Sequence, residues 1–183
     1  DWAPVGHEIV GCQLILNDNM LESVARKAGK GALEITENGD DITVSGKKFS
    51  ALWSRLTGNL TGISYRGKKI VEGSLFQAFR APTDNDKSFG NWLAKDWTKN
   101  RIDSPAVKCA SLVWSENDGN VTVRSSQKYQ YASGSIYVES VYTVYGDGTI
   151  DLNQTYRRQG ELPELPRLGS VFVADGSYDN VTW

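Results

Sequence analysis

The feature that most constrains this chain is a pair of long alternating runs joined by one tight turn. Ile136, Val138, Ser140, Tyr142 and Val144 interleave with Tyr137, Glu139, Val141, Thr143 and Tyr145. After Gly146-Asp147-Gly148 the alternation returns through Ile150, Leu152, Gln154 and Tyr156. A period of two sends successive side chains to opposite faces of an extended strand, so one face can be apolar throughout. A helix would need its apolar positions every three or four residues. Glycine and aspartate tolerate the backbone angles of a short reversal. The pattern predicts an antiparallel hairpin.

Three more hairpins follow from the same signals. Residues 33–36 face 42–44 across Asn38-Gly39-Asp40, and residues 49–56 face 60–65 across Thr57-Gly58-Asn59. Residues 106–114 face 120–131 around Asn117-Asp118-Gly119. Long strands joined by tight polar turns predict antiparallel sheets packed face to face, an all-β sandwich. One stretch departs from this. From Ser88 onward, Phe89, Trp92, Leu93 and Trp97 fall at helical spacing, with Ser88 as the expected N-cap. This predicts one short helix inside a connection, with Trp92 and Trp97 turned to the core. Trp53 and Trp114 lie in alternating strands and are expected in the core as well. Residues 20–28 suit either a weak helix or an irregular linker.

The 183 residues, 39% hydrophobic with six Trp and eight Tyr, suffice for one domain with a sizeable core. Net charge is -2, and the basic residues come in pairs such as Lys47-Lys48, Lys68-Lys69 and Arg157-Arg158. Without a basic stripe, neither nucleic acid nor an anionic membrane is the expected partner. The longest apolar runs are far short of a membrane span. Cys12 and Cys109 form no CxxC and are expected to be small buried hydrophobes. Asp1-Trp2-Ala3-Pro4 lacks an initiator Met, so the chain reads as an internal excerpt whose start says nothing of compartment; a soluble protein, cytoplasmic or periplasmic, is expected. Four sequons begin at Asn59, Asn120, Asn153 and Asn180, a short pattern that recurs by chance.

Catalytic sets are sparse. The single histidine, His7, has no acidic or cysteine cluster around it, and there is no GxSxG, P-loop or dinucleotide fingerprint. The densest polar constellation is Arg80-Ala81-Pro82-Thr83-Asp84-Asn85-Asp86. Pro82 fixes its own φ and pushes Ala81 to extended geometry, so the chain leaves the preceding apolar stretch in a set direction. Three readings stay open here. Arg80 can brace the loop against Asp84, Asp86 or backbone carbonyls. Arg80, Asp84, Asn85 and Asp86, with the aromatic faces of Trp92 and Trp97, can help line a carbohydrate pocket. The Asp-Asn-Asp run can hold calcium, although Gly at the sixth and Glu at the twelfth position of an EF-hand loop are missing.

Phe79-Arg80-Ala81-Pro82-Thr83-Asp84-Asn85-Asp86 resembles the motif marking the C-terminal domain of large, multidomain family 2 β-galactosidases. Other matches keep the family's order. Gly6-His7-Glu8 and the apolar residues after it resemble the last strand of a preceding immunoglobulin-like domain. Ser45-Gly46-Lys47-Lys48-Phe49, Leu56-Thr57-Gly58-Asn59-Leu60-Thr61 and Tyr65-Arg66-Gly67-Lys68-Lys69 resemble the opening hairpin. Leu165-Pro166-Arg167-Leu168-Gly169 and Asn180-Val181-Thr182-Trp183 resemble strands approaching the family's Tyr-Gly-x-Gly-Pro segment. The sequence departs from the family where Ala51-Leu52-Trp53-Ser54-Arg55 replaces a Phe-Asp-Lys-like stretch, and where Gln77-Ala78-Phe79 replaces Asn-Phe-Trp.

The resemblance implies several things. Residues 1–28 would be the last strand of the immunoglobulin-like domain plus a linker. Residues 29–183 would be the N-terminal portion of a galactose-mutarotase-like β-supersandwich. The parent would remove terminal β-galactosyl units with retention, using two glutamates on a (β/α)8 barrel that also holds divalent and sodium ions. No residue here receives a catalytic role, and this segment carries no cofactor of its own. It would pack on the barrel and other domains of the parent, would help shape the galactoside pocket, and could self-associate through the truncated sheet. A stand-alone carbohydrate-binding module, an architectural interface domain and an aldose epimerase are the competing readings. An epimerase needs a histidine and a glutamate as acid and base, and His7 lies outside the expected sandwich.

Overall fold

The computed structural model describes residues 29–87, 90 and 92–178. His7, Cys12, residues 20–28 and the sequon at Asn180 lie outside them. Among the described residues, ten strands form two antiparallel sheets. The first holds β1 (Glu34–Asn38), β2 (Asp41–Ser45), β3 (Phe49–Ser54), β4 (Leu60–Tyr65), β5 (Lys68–Gln77) and β10 (Gly169–Ala174), in the order β1-β2-β3-β4-β5-β10. The second holds β6 (Ala106–Asn117), β7 (Asn120–Gln130), β8 (Gly134–Val144) and β9 (Ile150–Gly160) in sequence order. All four expected hairpins form. Asp118 and Gly119 take φ of 51° and 75° between β6 and β7, the paired left-handed angles that a two-residue hairpin turn requires.

Alternation sets which faces meet. On β7, Val121, Val123, Ser125, Gln127 and Tyr129 are buried; on β8, Ile136, Val138, Ser140, Tyr142 and Val144 are buried. Of these, Val121, Val123, Tyr142 and Val144 meet Ile42 and Val44 of β2, Ala51 and Trp53 of β3 and Leu60 of β4 in one cluster. A second cluster joins Phe76 of β5, Trp97, Ile102, Tyr129, Tyr131, Ile136, Val138 and Leu162. Polar bonds stitch the sheets between the clusters. Ser125 Oγ donates to Gly58 O at 2.6 Å, Gln127 Nε2 donates to Thr57 O and Asn59 Oδ1, and Ser74 Oγ meets Tyr142 OH at 2.5 Å. Gly58 is required in this turn. It sits at φ 75°, and a Cβ there would lie 2.7 Å from Ser125 Oγ and 3.0 Å from Cys109 Sγ. Cys109 is half-buried against the first cluster.

Three expectations need correction. The helix is α1 (Leu93–Asn100), and its N-cap is Trp92, not Ser88. Gly90 at φ 78° bends the chain in the left-handed region before the helix can start. Trp92 is 61% exposed, because five residues place it about 140° around the helix from the buried Trp97. Trp114 is 37% exposed although its register opposite Val123 puts it on the inner side. It lies on the edge strand β6, which has a neighbouring strand on one side only. Its indole N–H donates to Glu37, which also accepts from Arg55 Nη2 at 2.7 Å. Arg55 Nη1 donates in turn to Leu112 O at 2.9 Å and ties the two sheets at this edge.

Helix α1 ends as its sequence allows. Arg101 takes φ 55°, its N–H returns to Thr98 O, and the N–H of Ile102 returns to Trp97 O at 3.0 Å. Ile102 then packs in the same cluster as Trp97, closing a Schellman-type end. Along the edge strand β10, Phe172 and Val173 are about half-exposed, as are Leu168 before it and Leu75 of β5 beside it. Among the described residues, no helix is long and apolar enough to cross a membrane.

Candidate functional site

The Arg80–Asp86 loop starts where β5 ends. Gln77 Nε2 donates to Phe79 O at 2.8 Å and turns the chain, while Ala78 is buried. Beyond Pro82, Thr83 is extended (φ -86°, ψ 175°) and caps a single 3-10 turn over Asp84–Asp86. Asp86 faces back into this turn. Its Oδ2 accepts the Thr83 N–H at 2.7 Å and the Thr83 hydroxyl at 2.8 Å. Arg80 completes the set with a fork: Nη1 reaches Asp86 Oδ2 at 2.6 Å and Nη2 reaches Asp86 Oδ1 at 3.1 Å. Nη1 also donates to Ala81 O at 3.2 Å. The brace expected for Arg80 is therefore present, with Asp86 as its partner.

Electrostatics follow from that geometry. Asp86 is only 6% exposed. The Arg80 guanidinium and then the Thr83 N–H hold its carboxyl well below the usual carboxylate range. The same pairing raises Arg80 above its already high value. The Arg80 guanidinium also lies 5.3 Å from the Trp97 ring centre, so the loop leans on helix α1. Trp97 is 2% exposed, and its Nε1 donates to Glu164 O at 2.8 Å. Arg80, Asp86 and Trp97 thus form one braced unit.

The other candidates lie outside this unit. Asp84 and Asn85 are exposed on the outer side of the turn. Trp92 lines an open depression of about 580 Å³ with Lys95, Asp96 and Lys99. As a cation site the loop does not fit, because both oxygens of Asp86 are engaged by Arg80 and Thr83. Among the described residues, no three His, Cys, Asp or Glu side chains gather as a metal would need.

Sequence reasoning missed two features. One is Thr83, whose Thr-x-x-Asp spacing to Asp86 is itself a capping signal. The other is a cleft of about 490 Å³ between the β3–β4 end and the β8–β9 turn, lined by Lys47, Phe49, Ile63, Tyr65, Ile70 and Asp147 among others. Nothing in the linear pattern joins residues so far apart.

Residues 45–183 match the family described as the β-galactosidase small chain. The whole chain aligns with a β-galactosidase of Halalkalibacterium halodurans at 31% identity over 193 residues, covering 18% of that protein. It aligns with β-galactosidases of Priestia megaterium at 28% identity and Streptococcus thermophilus at 27%, again over all of this chain and 17% of each relative. The chain therefore spans less than a fifth of the length of these relatives.

Proposed function

The chain belongs to the β-galactosidase small-chain family, and on that premise we propose that it is a non-catalytic domain of a larger, retaining β-galactosidase. In this reading it packs against the catalytic barrel and other domains, and the parent removes terminal β-galactosyl units. Residues 29–183 contribute the first part of a supersandwich, and residues 1–28 belong to the preceding domain and its linker.

One observation carries the non-catalytic role. Retaining hydrolysis needs two carboxyl groups about 5–5.5 Å apart, one a nucleophile and one an acid with a raised pKa. The most enclosed acid of the signature loop, Asp86, suits neither role: its lowered proton affinity is wrong for the acid, and both oxygens that a nucleophile would use are already bonded to Arg80 and Thr83. A carboxylate so engaged neither attacks an anomeric carbon nor gives up a proton near neutral pH. Its work is to hold the loop's shape.

The loop's outer side supports a secondary role at the rim of the sugar pocket. Asp84, Asn85 and the exposed Trp92 offer oxygens and an aromatic face, the pair of chemistries a pyranose needs. Divalent and sodium ions would belong to the barrel, since this loop does not fit them. The half-exposed Leu168, Phe172 and Val173 support coverage of that edge by the rest of the parent or by a second copy.

The test uses the longer enzyme that contains this segment. Arg80→Ala should lower its thermal midpoint while surviving molecules keep their kcat. Trp92→Ala or Asn85→Ala should raise KM for a chromogenic β-galactoside with kcat nearly unchanged. A collapse of kcat in Arg80→Ala at unchanged stability would place Arg80 in the chemistry and refute the bracing role.

A further inference from the structure

The outer face of the four-stranded sheet carries a charge pattern hidden in the linear sequence. Lys108 of β6 stands opposite Lys128 of β7, Lys128 opposite Tyr137 of β8, and Tyr137 opposite Arg157 of β9. Four side chains therefore form one row across all four strands. Their sequence neighbours Gln127, Tyr129, Ile136 and Val138 are buried, so the row faces away from the core. With strands about 4.8 Å apart, it spans about 14 Å.

Aromatic support, not a carboxylate, holds two of these cations. The Arg157 guanidinium sits 4.4 Å and the Lys128 ammonium 5.8 Å from the Tyr137 ring centre. The ion pairs among the described residues lie elsewhere, at Arg55–Glu37, Lys69–Glu72 and Arg80–Asp86. One acid lies in the adjacent row: Glu139, which accepts the Ser126 hydroxyl at 2.7 Å. Three cations and one carboxylate over two rows leave a local surplus of positive charge on a chain whose net charge is -2. Like charges directly opposite one another across strands, as Lys108 and Lys128 are, oppose folding. The arrangement is therefore not one that the sheet's own stability favours.

We propose that this row is a docking surface for an extended, carboxylate-bearing polypeptide segment lying across the strands. Charge complementarity argues for the acid. Spacing argues for the polypeptide, because same-side residues of an extended strand repeat every ~6.8 Å, so three of them span about the length of the row. The Arg157 fork, oriented by the Tyr137 ring, is shaped to take one carboxylate in two parallel bonds. A nucleic-acid backbone fits poorly, since the row is short and the sequence carries its other basic residues in pairs such as Lys47-Lys48 and Lys68-Lys69 rather than as a long stripe.

A fluorescently labelled peptide alternating Glu with Thr is the probe, titrated with the 183-residue chain at low salt. Binding should weaken at least about tenfold in Lys108→Gln/Lys128→Gln/Arg157→Gln and fall with added salt. Lys95→Gln/Lys99→Gln, on helix α1, should leave it unchanged. The charge-reversed Lys108→Glu/Lys128→Glu/Arg157→Glu should lose the Glu peptide and gain a Lys-Thr peptide, with circular dichroism checking the fold of each variant. No binding by the native chain, equal binding by the Gln variant, or a preference for a duplex oligonucleotide over the peptide would overturn the proposal.

Discussion

Two buried tryptophans permit a matched test of what hydrogen bonding adds to packing. Trp53 is completely buried in the first cluster, packed edge-on to Tyr142 at 5.4 Å, and its Nε1 has no hydrogen-bond partner among the described residues. Trp97 is equally enclosed in the second cluster, but its Nε1 donates to Glu164 O at 2.8 Å. Replacing either by Phe removes similar apolar volume, a packing loss of about 1–2 kcal/mol. The polar terms then have opposite signs. Trp97→Phe loses the bond to the carbonyl of the exposed Glu164 and costs about 0.5–1.5 kcal/mol more, whereas Trp53→Phe deletes an unsatisfied donor and recovers about 1–2 kcal/mol. Trp97→Phe should therefore cost about 2.5 kcal/mol and Trp53→Phe close to nothing. At about 2–4 °C per kcal/mol for a chain of this size, that is a fall of about 5–10 °C against a shift within about 3 °C. Thermal melts followed by far-UV circular dichroism read the difference. Equal losses at both positions, or a larger loss at Trp53, would refute the assignment of their polar environments.

Three further outcomes follow from the same geometry. Gly58→Ala should destabilise by about 1–3 kcal/mol in urea melts, through its left-handed φ and the close approach of Ser125 and Cys109; a neutral result would mean that the turn relaxes freely. The Asp86 carboxyl has a folded pKa below its unfolded value, so its contribution is present above about pH 4 and is lost as pH falls through the folded value. Native and Asp86→Asn proteins should thus differ in urea midpoint near neutrality and converge in acid, whereas a constant gap would contradict the Arg80 pairing. Tyr129 is pushed up to about 12 by burial, and Tyr131 and Tyr142 are raised by burial as well. Stability from these phenols is complete below about pH 10 and is lost as pH rises toward 12. Spectrophotometric titration should show a group of tyrosines ionising only as the chain unfolds, and smooth titration of all eight near pH 10 would contradict their burial.

Much of the sandwich was legible because its local signals agree. Each hairpin pairs a period-two run with a Gly, Asn or Asp turn, and the turn fixes the register of the strands beside it. What failed depended on tertiary context. Trp114 obeys the alternation yet lies on an edge strand, so facing inward did not bury it. Trp92 falls within the helical spacing, but Gly90 delays the helix and leaves that indole outside. Pairing of β10 with β5 joins residues nearly a hundred positions apart, a contact that no local pattern announces. In the signature loop, the brace was legible from Arg80 and the nearby acids, while the choice of Asp86 over Asp84 turned on the Thr83 cap. The cation row emerges only when three hairpin registers are laid side by side.

Hydrolysis of a chromogenic β-galactoside by the purified 183-residue chain tests the central claim most directly. The chain should show no turnover above buffer, because its signature loop braces structure and holds no acid–nucleophile pair, while the longer enzyme containing it should turn over. Hydrolysis that co-purifies with the 183-residue chain and disappears when one of its own carboxylates is replaced would contradict the account.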